Sequence, residues 1–382
     1  MSVDLDSDQI SLRDSMRKYL AKEVEPQILA CERDHAIPLD IVRGLIRFGC
    51  QGGQLPEADG GLDVDYITWS MMMEELGYAW GSLRTTLSIT NAYLRLVSNH
   101  GTPSQKEQFL APAMAGEKHV ANALSESHGA SDPSAILTKA EDKGDHYLLN
   151  GEKIWITNGH ASELLVVLAR TFSPTCDGKP SFFLLDRKES PYETRIIDKM
   201  VVKASGTSAV SLVDIKVPKA NLLGKEGDAL KTALTSINNA KLNMAMGSTG
   251  LAQRALDMSI DYAKTRVVFG KPIGANQLIQ KHIVDMAVRT HACRALGYQA
   301  AAALQKGLPA RMECSMAKLY ATGAAHEVAE MALAVHGGMG YACDFPIERI
   351  YRDTAGATIP DGTPEIQTLI AGREILGISA IR

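Results

Sequence analysis

The chain has 382 residues, 45% of them hydrophobic, with 40 basic against 44 acidic side chains and a net charge of −4. That length supports a sizeable core in two or three domains, and scattered Lys and Arg exclude an electrostatic footprint for nucleic acid. No run of about 18 apolar residues is present, so no membrane span is expected, and the acidic start without an apolar stretch predicts no secretion signal. Residues 1–118 read as helices joined by short loops. Ile10, Leu12, Met16, Tyr19 and Leu20 form an apolar stripe at helical spacing. Thr102 reads as an N-cap, with Pro103 in the first helical position and Gln105 closing a capping box. Residues 119–228 change character. Tyr147 to Ile156 reads as strand, Asn150-Gly151 turn, strand, and 164–168, 181–185 and 209–217 are further β-runs. A small, mostly antiparallel sheet or barrel is expected there. Residues 229–382 return to helical periodicity. Leu251, Ala252, Ala255, Leu256, Ser259, Tyr262 and Ala263 share one face, and Met312, Met316, Leu319 and Tyr320 another. Repeated Ala and Gly predict closely packed helices.

The cysteines are Cys31, Cys50, Cys176, Cys293, Cys314 and Cys343. None has C-x-x-C spacing and no metal pattern is complete, so they read as buried, reduced thiols of a cytoplasmic protein with no metal. The order α, β, α leaves a crevice between domains, a common site for a large cofactor.

Five segments carry possible chemistry. The first, Ala123 to Asp132, is rich in small and polar residues whose backbone amides can approach a phosphate or a flat ring. The second is Trp155-Ile156-Thr157-Asn158-Gly159. Strand alternation would put Trp155 and Thr157 on one face. The third is Arg266-Val267-Val268-Phe269-Gly270, with Gln277 and Gln280 after it; the planar fork of Arg266 suits a pyrophosphate. The fourth, His336-Gly337-Gly338-Met339-Gly340, follows a helix and lacks the strand a dinucleotide fingerprint needs. The fifth runs from Arg352-Asp353 as a loop to Asp361-Gly362-Thr363-Pro364, entering a last helix with Thr363 as N-cap. Taken singly, each has an ordinary reading: a polar turn, a core Trp, a helix-end Arg, a glycine helix end and a helix-start acid.

Together and in order, these segments resemble the acyl-CoA dehydrogenase family. The first resembles L-T-E-P-x-x-G-S-D, with Ser127 and Ala130 in place of its Pro and Gly. The second resembles W-I-T-N-G and the third R-x-x-F-G-x-x-I followed by Gln. The last two resemble G-G-x-G, R-D and E-G-T-x-x-I-Q. Pro56 to Gly61 and Gly101 to Leu110 extend the resemblance over nearly the whole chain. The resemblance implies an α+β fold of three domains: an N-terminal helical domain, a middle antiparallel β-barrel and a C-terminal four-helix bundle. It implies FAD as cofactor. Leu124, Ser125 and Thr157 would touch the flavin ring, with Trp155 packed against it, and Ser131 would reach the pyrophosphate. Arg266, Gln277 and the Gly337-Gly338 loop would bind the FAD of a neighbouring subunit in a homotetramer. Thr363 would contact FAD near the base. The substrate would be an acyl thioester of CoA or of an acyl carrier protein, and electrons would leave to electron-transfer flavoprotein.

The resemblance breaks at the base. Asp361 stands where the family has Glu, one methylene shorter, a reach difference of roughly 1.5 Å. A misplacement of about 1 Å can cost on the order of 10²-fold in rate. Either the backbone or the substrate shifts to compensate, or the chemistry differs. The family's other base position is Ala240 here, next to Lys241 where Arg is usual; Ala334 and Thr368 replace a common Gln and Arg. An unusual acyl group is expected. Two other readings stay open: a nitroalkane-oxidase-like enzyme, which also uses Asp at this position, and a catalytically idle flavin-binding partner. The acyl pocket is expected among the helices around residues 70–100, including Met71, Met72, Met73 and Asn91, and around residue 240.

Overall fold

A computed structural model of the chain describes residues 5–128 and 135–380, with residues 231–236 described in backbone only. The first region is helical: α1 Ser7–Tyr19, α2 Ile28–Asp34, α3 Leu39–Ile46, α4 Tyr66–Ala79, α5 Gly81–His100, the single turn α6 Pro103–Gln105 and, after a π-helical turn, α7 Ala111–Met114. Met16 and Leu20 are buried as the stripe requires, whereas Ile10, a turn earlier, is exposed. The capping box forms as read: Thr102 Oγ1 accepts from the Gln105 N–H at 3.2 Å, and Gln105 Oε1 from the Thr102 N–H at 3.0 Å.

The middle strands are β1 Val120–Ala123, β2 Lys139–Asp142, β3 His146–Ile156, β4 Leu164–Ser173, β5 Cys176–Asp186, β6 Glu193–Ile196, β7 Ser208–Pro218 and β8 Leu222–Leu223. They form one eight-stranded sheet in the order β6-β7-β3-β2-β4-β5-β8, with β1 paired to β4. The expected antiparallel barrel is refined to a mixed sheet, since β1 and β2 both run parallel to β4. The Asn150-Gly151 hairpin is corrected. β3 runs straight through both residues and bulges there against β7. A central strand with partners on both edges has no room to turn back, and Gly151, at φ 154°, lies so close to Thr138 that a Cβ would approach its Oγ1 to 2.5 Å.

The third region holds α8 Ala229–Thr265, a two-stranded hairpin of β9 Val267–Val268 and β10 Lys271–Pro272, α9 Gln277–Gln305, α10 Arg311–His336, α11 Pro346–Gly356 and α12 Pro364–Leu376. The face read on α8 is buried, with Tyr262 at its edge. On α10 the expectation is corrected: Cys314, Ala317, Ala321 and Ala325 are buried, while Met312, Met316 and Leu319 are half-buried and Tyr320 is exposed. Small side chains let helix backbones approach, so the larger ones are left at the rim. The same logic joins α4 to α8, where a Cβ on Gly77 would sit 2.1 Å from the Gly247 carbonyl oxygen. Arg352 and Asp353 lie inside α11, not in a loop.

Five cysteines are buried and Cys343 is exposed; none is in a disulfide. Among the described residues, no His, Cys, Asp and Glu cluster could hold a metal, and no helix is long and apolar enough to cross a membrane.

Candidate active site

The site is organised around the first half of α5. Trp80 caps its start, with the indole N–H donating to buried Glu32 at 2.6 Å. Along the next turns, Thr86 donates to Asn158 Oδ1 at 3.0 Å, and the Ile89 carbonyl accepts from Asn122 Nδ2 at 3.1 Å. Asn122 is the penultimate residue of β1, two before Leu124, and Asn158 follows Trp155 and Thr157. One helix therefore holds the first and second segments together. They also meet directly, where the Ile154 N–H donates to the Ser125 carbonyl at 3.0 Å.

Behind that junction lies an ion pair. Lys153 Nζ is 2.7 Å from Glu126 Oε1 and also donates to the Leu124 carbonyl at 3.1 Å. Burial alone would raise the Glu126 carboxyl, but Lys153, the Thr138 hydroxyl and the Leu137 N–H outweigh it and hold it at about 2. Leu124, Ser125 and Thr157 are half-buried, and Trp155 is 56% exposed although it is apolar. Trp155 sits at φ 62°, in a bulge against β7. Simple alternation therefore does not place Trp155 and Thr157, because β3 ends at Ile156 in an irregular turn. Ser131 lies outside the described residues.

Asp361 occupies the turn before α12, at φ 58°. The turn is pinned from two sides. Lys318 Nζ donates to the Thr358 and Gly362 carbonyls, each at 2.6 Å, and Gln367 Nε2 to the Asp361 and Gly362 carbonyls at 2.8 and 3.0 Å. Thr363 is the N-cap by position, with Pro364 after it, yet its hydroxyl caps no backbone N–H. No hydrogen bond reaches the Asp361 carboxylate among the described residues. The residue is half-buried but deep in the molecule, and burial raises its carboxyl above the usual range, against the opposing fields of Arg84, Lys318 and Lys241. Those three cations are themselves almost fully buried, at 4%, 0% and 2% exposure. Arg84 belongs to α5, so the helix that holds the Trp155 segment also faces Asp361.

The remaining sequence candidates gather elsewhere. Arg266 caps the C-terminus of α8 and Gln277 opens α9, both exposed; Gly337 and Gly338 follow α10, also exposed. The Tyr262 ring stacks on His336 at 4.5 Å, which brings the ends of α8 and α10 together. Beside them Phe269 is 98% exposed and Val267 55%. Among the described residues no hydrogen bond, ion pair or ring contact joins this group to Trp155 or Asp361.

Uncovered Trp155 beside Ser125 and Thr157 hydroxyls, and a second exposed group that joins apolar side chains to the guanidinium of Arg266, fit a large aromatic dinucleotide such as FAD. Two surface hollows, of about 720 and 690 Å³, lie away from both groups and are not lined by Trp155 or Asp361. Sequence reasoning missed Arg84, Lys318 and the Lys153–Glu126 pair. For Arg84 a signal existed: it is the one charge in the small and apolar run Gly81 to Ala92. Of the residues expected at the acyl pocket, Met71, Met72 and Met73 are buried, and Asn91 is hydrogen-bonded to Gly52, Cys50 and Leu87 backbone groups.

Comparison with known proteins fits this arrangement. The chain matches the family models for the acyl-CoA dehydrogenase N-terminal domain over residues 6–117, the middle domain over 121–215 and the C-terminal domain over 227–376. An acyl-CoA dehydrogenase of Bacillus subtilis is 34% identical over 372 residues, covering 97% of this chain and 98% of that protein. The structure of butyryl-CoA dehydrogenase from Megasphaera elsdenii superposes with a TM-score of 0.91 at 31% identity, covering 98% of this chain and all of that one. A glutaryl-coenzyme A dehydrogenase in complex with glutaryl-CoA superposes with a TM-score of 0.93 at 32% identity, covering 100% and 98%. The chain belongs to the acyl-CoA dehydrogenase family, the FAD-dependent oxidoreductases that act on CH–CH bonds of acyl-CoA.

Proposed function

We propose that the protein dehydrogenates an acyl thioester with Asp361 as the base that takes the α-proton. The observation that carries this reading is the Asp361 carboxylate itself: unbonded among the described residues, deep, raised by burial and held in a turn pinned by Lys318 and Gln367. Burial makes a carboxylate a better proton acceptor. FAD, when bound, supplies the acceptor for the β-hydride. Ser125 and Thr157 hydroxyls and the Leu124 side chain position the ring, and Trp155 packs on it and excludes water. Ser131 reaches the pyrophosphate, and Thr363 contacts the cofactor beside the base. Arg266, Gln277, Gly337 and Gly338 serve the FAD of a second subunit of a homotetramer, and their separation from Trp155 within one chain supports the sharing. The thioester is carried by CoA or by a carrier protein, the carrier of electrons is an electron-transfer flavoprotein, and the protein works in the cytoplasm.

The nitroalkane-oxidase-like reading gains nothing from the site, since Thr368 is exposed and, among the described residues, its hydroxyl bonds only the Pro364 carbonyl. Against an idle flavoprotein stands the deep, raised Asp361, which is not a solvated helix-start charge. The test is an anaerobic titration of the FAD-loaded protein with acyl-CoA and carrier-protein thioesters, following loss of the oxidised flavin band. Bleaching by a thioester, slowed in Asp361→Asn by on the order of 10²–10⁴ with FAD retained, is expected. Equal bleaching by Asp361→Asn would remove Asp361 from the base role.

A further inference from the structure

Of the three cations facing Asp361, two have hydrogen-bond partners of their own. Lys318 serves two backbone carbonyls, and Lys241 donates to the Ser315 hydroxyl at 3.1 Å. Arg84 differs. It is 4% exposed, its Nε has no hydrogen-bond partner, and its one hydrogen bond among the described residues runs from Nη2 to the Met244 sulfur at 3.4 Å. Sulfur is a weak acceptor. A guanidinium has five donors in a fork suited to a carboxylate, and a buried charge left so poorly matched is costly. The fold nonetheless makes room for it: a Cβ on Gly247 would lie 2.6 Å from Arg84 Cδ and Nε, so glycine there clears a berth on α8 for this side chain. Lys241 is on the same helix, nearly two turns earlier.

The nearby acids do not supply the missing partner. Asp353 lies in the field of Arg84, but its Oδ1 accepts the Val202 N–H at 2.7 Å, and burial beside Glu32 favours its neutral form. Asp361 must stay free to take a proton. Three cations around a base also oppose its task, because each weakens its hold on a proton. An arrangement that works against the base makes sense if a second anion arrives with the substrate and shares that field.

We propose that the acyl group of the substrate carries its own carboxylate, which seats on Arg84. This rests on the acyl-thioester reading above. The substrate class is then the monothioester of a dicarboxylic acid. In the reaction the α-carbon loses a proton to Asp361, the β-carbon loses hydride to oxidised FAD, a carbon–carbon double bond forms between them, and the distal carboxylate is unchanged. Binding that carboxylate partly neutralises Arg84, so the Asp361 carboxylate becomes a stronger base only when the right substrate is in place.

The experiment uses the FAD-loaded protein and chain-matched CoA thioesters: succinyl against butyryl, glutaryl against pentanoyl, adipyl against hexanoyl. Anaerobic stopped-flow bleaching gives a second-order constant for each. In the wild type one dicarboxylyl thioester is expected to exceed its matched partner by on the order of 10²-fold or more, the scale at which a site built for a charged group rejects an analogue lacking it. Arg84→Gln collapses that ratio towards unity, and Arg84→Lys keeps part of it; FAD content and the visible spectrum report that each variant is folded. The acid limb of the bleaching rate lies at higher pH for the dicarboxylyl member, which a merely structural Arg84 would not produce. Monocarboxylyl thioesters that match or exceed every dicarboxylyl one overturn the proposal. If no thioester bleaches the flavin, the dehydrogenation reading fails separately. Binding of the same pairs, read from perturbation of the flavin band, then decides: a dicarboxylyl preference lost in Arg84→Gln supports the carboxylate site, and its absence rejects it.

Discussion

Replacing Lys153 by Met isolates what holds the Ser125 and Trp155 segments together. The ammonium and Glu126 are 0% and 2% exposed and 2.7 Å apart, so neither is screened by water. Met fills the volume of the aliphatic stem but leaves Glu126 with three neutral donors, the Thr138 hydroxyl at 2.6 Å, the Thr138 N–H at 3.1 Å and the Leu137 N–H at 2.6 Å, and with the half-exposed His128 ring 3.5 Å away. Removing one partner of a buried pair costs about 3–5 kcal/mol. The three remaining hydrogen bonds, and the option of protonating Glu126, put Lys153→Met at the low end, about 3 kcal/mol. Adding Glu126→Gln restores neutrality and keeps an acceptor for Thr138, so the double variant should lie within about 1–1.5 kcal/mol of the wild type. The pair then couples by on the order of 2 kcal/mol. Urea unfolding of the apoprotein measures these differences, and FAD affinity should fall with Lys153→Met alone, since Glu126 follows Ser125 directly. A Lys153→Met cost under about 1 kcal/mol, or a double variant that equals the sum of the singles, would refute the reasoning.

Three further outcomes are expected. Gly77→Ala drives a Cβ to 2.1 Å from the Gly247 carbonyl, backbone against backbone, and should destabilise by about 3 kcal/mol in urea unfolding; a loss below about 1 kcal/mol would mean that α4 and α8 do not cross so closely. Because burial raises Asp361 and the base acts deprotonated, the bleaching rate should fall as pH drops through a value above the ordinary aspartate range near 4; a rate flat down to pH 4 would contradict this. Burial beside Glu32 raises the Asp353 carboxyl, so its contribution to stability is full below about pH 4 and is lost as pH rises through the raised value; Asp353→Asn should remove that decline from urea midpoints taken between pH 4 and 8, and an unchanged slope would refute it.

Local rules carried the sequence reading as far as local rules reach. The Thr102 capping box needs only its four residues, and it forms as read. The strand at 164–168 announces itself as a continuous apolar run buried on both faces, and the one at 209–217 by its alternation. Asn150-Gly151 failed for a non-local reason: the same dipeptide that closes a hairpin also serves a bulge, and only pairing to β2 and β7 on both edges decides between them. The α10 face failed similarly, because methionines look like core until the helices approach so closely that mostly small side chains such as Ala, Ser and Cys fit between them. At the site, motif spacing singled out Asp361 and Trp155, each close to its segment neighbours. Arg84 and Lys318 lie 277 and 43 positions before Asp361 by residue number, and nothing in the sequence ties them to it until α5, α10 and the head of α12 converge.

That convergence also bears on why aspartate can stand at 361. Residue 361, the base under the proposed function, has a left-handed conformation, which aspartate tolerates better than longer side chains. Gly362 follows at φ 95°, where a Cβ would meet Gln367 Nε2 at 2.6 Å. Lys318 and Gln367 together fix the carbonyls of Thr358, Asp361 and Gly362, so the turn cannot swing to follow a substrate. The missing methylene must therefore be met by where the acyl chain lies. A chain anchored at its far end by Arg84, on the helix facing Asp361, would lie differently from one held by apolar contacts alone. The shorter base and the buried guanidinium are on this argument two parts of one change, and each accounts for the other.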